Sequence, residues 1–349
     1  LLTNYCMFDC AYCVNRASSN VRRARFTAEE VVTLTLDFYR RNYIEGLFLS
    51  SGIIRSPDYT MEELTRVART LRETHHFRGY IHLKTIPEAD PGLIEDAGRY
   101  ADRLSINVEL PSQASLERLA PEKRMPTIRR TMGALKVKIA DAKAERTESR
   151  RAPKFSPAGQ STQVIVGADA ARDLDILRMS AGLYAGYGLR RVYYSAFSPI
   201  PDSSSALPLA APPLMREHRL YQADWLTRYY GFSVDEIASG APGGMFDAAI
   251  DPKLAWALAN RAAFPVDVNT AAREMLLRIP GLGTRAVGRI IETRRHRRLR
   301  LEDVQRLTTS LKKALPFIVA LDWTPGGLLD AERLRERMTP RPRQLDLFG

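Results

Sequence analysis

Cys6-Met7-Phe8-Asp9-Cys10-Ala11-Tyr12-Cys13 holds every cysteine of the chain. Three thiolates spaced C-x3-C-x2-C can occupy three corners of a cubane iron–sulfur cluster and leave the fourth iron open to another ligand. An odd count at such tight spacing makes a poor disulfide framework. Structural zinc asks for four ligands, and no histidine lies near the run. Free cysteines do pack as small hydrophobes, but packing alone does not explain the spacing.

Outward from this loop, the first half of the chain alternates strand-like and helix-like segments. Residues 1–4 read as the end of a strand feeding the cysteine loop. Thr27-Ala28-Glu29-Glu30 is a capping box that opens a helix to about residue 42. Strands are expected at 46–52, 80–85, 103–110, 160–167 and 191–197. Helices are expected at 60–76, from Pro91, at 127–146 and at 173–187. This order predicts parallel strands with crossover helices. Within 103–110, Ser105, Asn107 and Glu109 share one face, and Leu104, Ile106 and Val108 the other. His82 and Lys84 oppose Ile81 and Leu83 in the same way. A polar face toward a lumen and an apolar face toward helices suits a barrel with an internal site, which would sit at the C-terminal strand ends.

The cysteine loop resembles the signature of the radical S-adenosylmethionine (SAM) superfamily, C-x3-C-x-aromatic-C, with Tyr12 as the aromatic residue. The resemblance implies a partial (β/α)6 TIM-like barrel, α/β in class. Its cofactors would be a [4Fe–4S] cluster on Cys6, Cys10 and Cys13, and SAM. Reductive cleavage of SAM would yield a 5′-deoxyadenosyl radical that abstracts hydrogen from a substrate. Ser50-Ser51-Gly52 stands where the superfamily often has Gly-Gly-Glu for the SAM amino group, and the Glu is missing here. Glu109 matches a ribose or methionine contact. Gln163-Val164-Ile165-Val166-Gly167 and Tyr193-Tyr194-Ser195-Ala196-Phe197 match adenine-contacting strands, which brings in Gln163, Ile165 and Tyr194. With no further cysteine there is no auxiliary cluster, so methylthiotransfer and a methyl-cysteine relay are disfavoured. A cysteine hydrogen donor is missing too; Tyr193 or Tyr194 are the candidates to replace it. The chain starts at Leu1 inside a strand-like segment, so a preceding segment is expected.

Residues 199–213 read as an irregular linker, and Tyr221, Trp225 and Tyr229 at i, i+4 spacing as a packing stripe on a helix. Further on, Ile279-Pro280-Gly281-Leu282-Gly283 with Ala286 and Ile290 looks like a helix-hairpin-helix module. Proline stops one helix, and the glycines permit a tight turn. The next helix then offers its N-terminus to a phosphate, through Gly281, Gly283 and Thr284, with Arg285 and Arg289 flanking. The formal charge is +12. Residues 278–313 carry eleven Lys/Arg against three acids, so that excess is focused. Residues 123–154 carry the same counts. Polyanionic partners are favoured by such a balance. Gln344-Leu345-Asp346-Leu347-Phe348 resembles the peptide by which bacterial replication and repair proteins dock on the sliding clamp.

Taken whole, the chain resembles bacterial DNA modification and repair radical SAM proteins that carry a C-terminal helix-hairpin-helix. Ala120-Pro121-Glu122-Lys123 belongs to that resemblance. It implies a barrel over 1–198, a linker and helical extension over 199–262, a small all-α DNA-binding region over 263–338 and a tail over 339–349. The implied partners are DNA, an electron donor, a uracil-DNA-glycosylase-like protein and the sliding clamp. A cytoplasmic setting follows from an oxygen-labile cluster without disulfides, and no apolar run reaches membrane-spanning length. An RNA-modifying radical SAM enzyme and a non-catalytic Fe–S recruitment protein are the alternatives.

Overall fold

The computed structural model describes residues 1–201 and 204–340. They form two units, one of Leu1–Ala171 with Gly182–Pro212, the other of Arg172–Ala181 with the chain from Pro213 onward.

The first unit is built on five parallel strands paired in chain order: β1 (Gly46–Leu49), β2 (Tyr80–Lys84), β3 (Arg103–Ser105), β4 (Gln160–Val166) and β5 (Arg191–Ala196). The sheet is a parallel half-barrel. Helix α1 (Ala28–Arg40) precedes β1, and α2 (Pro57–Arg69), α3 (Pro91–Tyr100), α4 (Gln113–Leu119), α5 (Met125–Glu148) and α6 (Asp173–Tyr187), the last counted up to Ala181 with the second unit, lie in the connections between strands. The capping box of α1 forms in full, Glu30 N–H donating to Thr27 Oγ1 at 3.1 Å and Thr27 N–H to Glu30 Oε2 at 2.7 Å. Ile81, Leu83, Leu104, Ile106 and Val108 are buried, as the alternation requires.

Two strand expectations change. Residues 1–4 do not make a sixth strand of the sheet. Thr3 bridges Arg25 in antiparallel fashion, and the other edge of the segment bonds to the loop after β1, Leu2 N–H to Ser50 O at 2.8 Å and Gly52 N–H to Thr3 O at 2.9 Å. β3 stops at Ser105: Val108 N–H turns to Thr162 Oγ1 at 3.0 Å in place of a backbone carbonyl, and Glu109, at a left-handed φ of 62°, keeps one isolated parallel bridge to Val164.

The second unit holds α7 (Leu214–Tyr229), α8 (Val234–Ala238), α9 (Pro252–Ala259), α10 (Arg273–Arg278), α11 (Thr284–Thr293) and α12 (Leu301–Leu307) around one core. Phe232, Trp256, Phe264 and Phe317 meet edge to face through that core, with centroids 5.0–6.0 Å apart. This part is not all helix, since β6 (Val266–Asp267) and β7 (Ile318–Val319) form a parallel pair. Nor do the α7 aromatics pack as expected: Trp225 is 53% and Tyr229 54% exposed, the core side of α7 being supplied by Leu220, Ala223 and Leu226. The expected clamp-binding residues Gln344, Leu345, Leu347 and Phe348 lie outside the described residues.

Candidate active site

The C-terminal ends of the strands and the cysteine loop enclose a cavity of about 440 Å3, within the range of small-molecule sites. Cys6, Cys10, Cys13 and Tyr12 line it, as do Ser50, Ser51, Gly52, Glu109, Gln163 and Ile165. Ten residues read from sequence as cluster or cofactor contacts therefore share one space.

The cysteine loop is fastened from three sides. The end of β1 holds it through the bonds of Leu2 and Gly52, through Met7 N–H to Ile53 O at 2.9 Å, and through Ile53 N–H to Cys6 Sγ at 3.4 Å. Close approach here requires glycine: a Cβ on Gly52 would lie 2.2 Å from the Tyr5 carbonyl oxygen. Arg23 forms the second fastening. Its guanidinium donates to four carbonyls around the loop, Asn4 at 2.6 Å, Asn15 at 2.9 Å, Arg16 at 2.7 Å and Ser19 at 3.0 Å. Asp9 is the third, accepting from Ser18 N–H and Oγ–H at 2.9 and 2.7 Å while its own N–H donates to Glu122 at 2.9 Å.

None of the cysteines is in a disulfide. Burial pushes the Cys10 thiol up to about 12, against the pull of Lys123, and burial raises Cys13 as well. Such thiols hold their protons until a cation binds, because coordination deprotonates them outright. Among the described residues no three His, Cys, Asp or Glu side chains converge on a single ion. A cubane makes no such demand, since each thiolate binds a different iron. The Tyr12 hydroxyl is buried beside Cys10 without a hydrogen bond of regular geometry, and burial followed by the Glu109 charge raises it well above the usual phenol value. Three unpaired thiols around an enclosed space, with a buried polar atom left over, fit an iron–sulfur cluster with a polar co-ligand.

Opposite the loop, Glu109 and Lys123 form a buried ion pair at 2.6 Å. Burial opposes the charge on Glu109, but Lys123 and Lys84 outweigh it and hold the carboxyl below its ordinary value. Lys123 is likewise opposed by burial and raised by Glu109. Asn107 Nδ2 donates to Glu109 Oε1 at 3.3 Å. The backbone of Glu109 is gripped by β4, its N–H on Gln163 O at 3.1 Å and its carbonyl taking Ile165 N–H at 2.7 Å. A strained φ over-determined by its neighbours is a recurring property of functional positions.

Tyr193 and Tyr194 do not reach the cavity. Tyr194 is buried on the far face of β5, and Tyr193 lies under the Arg191 guanidinium, 5.0 Å from its ring centroid. Ser195, Ala196 and Phe197 line the cavity in their place. Sequence reasoning gave no role to Glu88, and Lys84 and Lys123 appeared only as a lumen-facing residue and part of a motif. All three line the cavity.

Comparison with known proteins finds a partial match. Residues 1–139 match the Radical SAM superfamily. A search of curated proteins finds no match. Among solved structures, the crystal structure of HydG, a maturase of the [FeFe]-hydrogenase, aligns at 16% identity with a TM-score of 0.45, covering 64% of this chain and 48% of that one. The HydG maturase from Carboxydothermus hydrogenoformans aligns at 14% with a TM-score of 0.45, covering 64% and 49%. The chain thus spans about half the length of these structures. Radical SAM superfamily proteins bind a [4Fe–4S] cluster and SAM. Residues 1–139, which include the three cysteines lining the cavity, thus match a superfamily whose proteins bind these cofactors.

Proposed function

We propose that this radical SAM enzyme acts on DNA, in modification or repair. Cluster and SAM, when bound, supply the 5′-deoxyadenosyl radical. The chain's own residues shape the cavity, keep water from it and orient what enters. Cys6, Cys10 and Cys13 would hold the cluster. Lys123, already charged by its contact with Glu109, is placed for an anionic group such as the SAM carboxylate.

The observation that carries the DNA reading is the turn between α10 and α11. Gly281 sits at φ 84°, and a Cβ there would meet Ser310 O at 2.6 Å. Ile279, Leu282, Ala286 and Ile290 are buried, fixing the turn against the core. Gly283 is the N-cap of α11, and no side chain caps that end. Arg285 and Arg289 are exposed beside it. A helix N-terminus with two exposed guanidiniums suits a phosphate backbone, positioning it without reading sequence. This is the geometry expected of a helix-hairpin-helix. The exposed Trp225 offers a ring face on which an unpaired base stacks, and the Arg228 guanidinium lies over the Tyr229 ring at 4.9 Å, which favours a single-stranded or locally opened substrate. An electron donor, a glycosylase-like protein and the clamp belong to the same reading.

Fluorescence anisotropy with single-stranded DNA, duplex DNA and RNA of matched sequence tests it. Arg285→Ala/Arg289→Ala should weaken DNA uniformly across sequences and lower the salt slope by roughly one per charge removed. Unchanged affinity, or a preference for RNA, would overturn the DNA reading.

A further inference from the structure

The turn between α4 and α5, Ala120-Pro121-Glu122-Lys123, sends two successive side chains to different places. Lys123 lines the cavity and pairs with Glu109. Glu122 reaches the cysteine loop, where its Oε1 accepts the Asp9 N–H at 2.9 Å. Asp9 lies between Cys6 and Cys10, so this bond grips the middle of the run. Ala11 N–H, donating to Leu119 O at 2.7 Å, adds a second bond to the same segment. The turn is fixed in its own right. Ala120 N–H closes on Leu116 O at 2.7 Å, Lys123 N–H on Ala120 O at 2.9 Å, and Met125 N–H on Gln113 Oε1 at 2.9 Å.

Two features of Glu122 exceed what fastening requires. A neutral amide oxygen would also accept the Asp9 N–H, whereas the carboxylate brings a charge. Its second oxygen, Oε2, is buried with no hydrogen-bond partner, which costs stability. Glu122 is in no ion pair among the described residues. After burial, the charges acting on the Cys10 thiol include Lys123, which favours the thiolate, and Glu109 and Glu122, which oppose it. Lys123 and Glu109 offset each other as a pair at 2.6 Å. Glu122 has no such counterpart among the described residues.

We propose that Glu122 is a positioning residue that lowers the reduction potential of the cluster, its hydrogen bond fixing the loop and its charge disfavouring the added electron. Reduction takes one electron from an external donor and makes the cluster one unit more negative, so a nearby carboxylate disfavours the reduced form. The hydrogen bond acts in the same sense, because an N–H held by Glu122 is not free to donate to a cluster sulfur. A lower potential makes the reduced cluster a stronger donor toward the sulfonium of SAM. Unit charges on the order of 10 Å apart at an effective dielectric of about 20 shift such an equilibrium roughly tenfold, which is about 59 mV for one electron. This inference rests on the assignment of the cluster to Cys6, Cys10 and Cys13, and not on the DNA reading.

The test uses the full chain, reconstituted anaerobically without SAM. Iron and sulfide per chain are measured, and the midpoint potential is read by an EPR-monitored titration with dithionite. Glu122→Gln keeps an acceptor for the Asp9 N–H and removes the charge. It should retain full iron and sulfide while its equilibrium moves roughly tenfold toward the reduced form, a midpoint higher by about 59 mV. Glu122→Ala removes both the charge and the bond, and should lose iron on gel filtration as well. Glu62→Gln, which removes an exposed carboxylate on α2, should match the wild type in both measurements. A midpoint in Glu122→Gln equal to that of Glu62→Gln would overturn the proposal and leave Glu122 a structural tie. Loss of iron in Glu122→Gln would overturn it too, because the charge would then serve assembly and not potential. A wild-type chain that assembles no [4Fe–4S] cluster would sink the cluster assignment and this inference with it.

Discussion

Gly52→Ala should detach the cysteine loop without touching a cysteine. The added methyl carbon would lie 2.2 Å from the Tyr5 carbonyl oxygen and 3.2 Å from Cys6 Cβ. Carbon–oxygen contacts ordinarily run about 3.3–3.6 Å, so one of the two segments must give by roughly 1 Å. The bonds that cross this gap are 2.8–2.9 Å between backbone groups, with the weaker Ile53-to-Cys6 bond at 3.4 Å. Displacement on that scale carries them past hydrogen-bonding range. Overpacking strain and the lost bonds together come to about 2–4 kcal/mol. For a unit of this size that corresponds to a fall in melting temperature of about 5–15 °C. The assay is anaerobic reconstitution followed by iron and sulfide per chain, with a melt of the metal-free protein beside it. Gly182→Ala is the control, because a methyl there meets nothing within 4 Å. Full iron and sulfide in Gly52→Ala, with a melt like that of the control, would refute the claim that this close approach holds the loop.

Arg23→Ala removes four carbonyl contacts and should lower iron retention while speeding amide exchange at Arg16 and Ala17. Arg23→Lys should restore only part, because an ammonium lacks the planar fork. Lys123→Met strands Glu109 in a buried site and should cost about 3–5 kcal/mol in denaturant melts of the metal-free protein, and adding Glu109→Gln should recover most of it. Lys253, buried with its amine 2.5 Å from Leu282 O, is held at about 7 by burial against the attraction of Asp251. Its unfolded value is 10.5. Above about pH 7 the folded chain has released a proton that the unfolded chain keeps, so stability of the second unit should rise by about 1.4 kcal/mol per pH unit toward 10.5, and stay flat below 7. Lys253→Met should remove that slope in urea melts across the same range.

What the sequence revealed was chiefly local. The cysteine spacing, the capping box at Thr27 and the limits of α6 depend on neighbours within a turn or a loop, and each reads directly from residue order. Lumen-facing residues at Lys84, Asn107 and Glu109 followed from period-two alternation. The errors arose where distant segments decide. Alternation cannot say how far up β5 the cavity reaches: Ser195 lines it, and the candidates Tyr193 and Tyr194 do not. Residues 1–4 have strand character, but their edges are taken by Arg25 and the loop after β1. The α7 aromatics recur at helical spacing, yet only tertiary packing determines that Leu220, Ala223 and Leu226 face the core instead. Glu88 sits in an aperiodic loop and carries no pattern at all; its place in the wall is visible only once the cavity is formed.

The central claim is that the cavity is a site of SAM cleavage. The measurement is release of 5′-deoxyadenosine by the anaerobically reconstituted, reduced protein given SAM, with and without single-stranded DNA. The expected result is [4Fe–4S] stoichiometry, cleavage abolished by substituting Ser at Cys6, Cys10 or Cys13, and stimulation by the DNA. A protein that assembles the cluster and binds DNA but never releases 5′-deoxyadenosine would contradict the account and leave a recruitment role for the cluster.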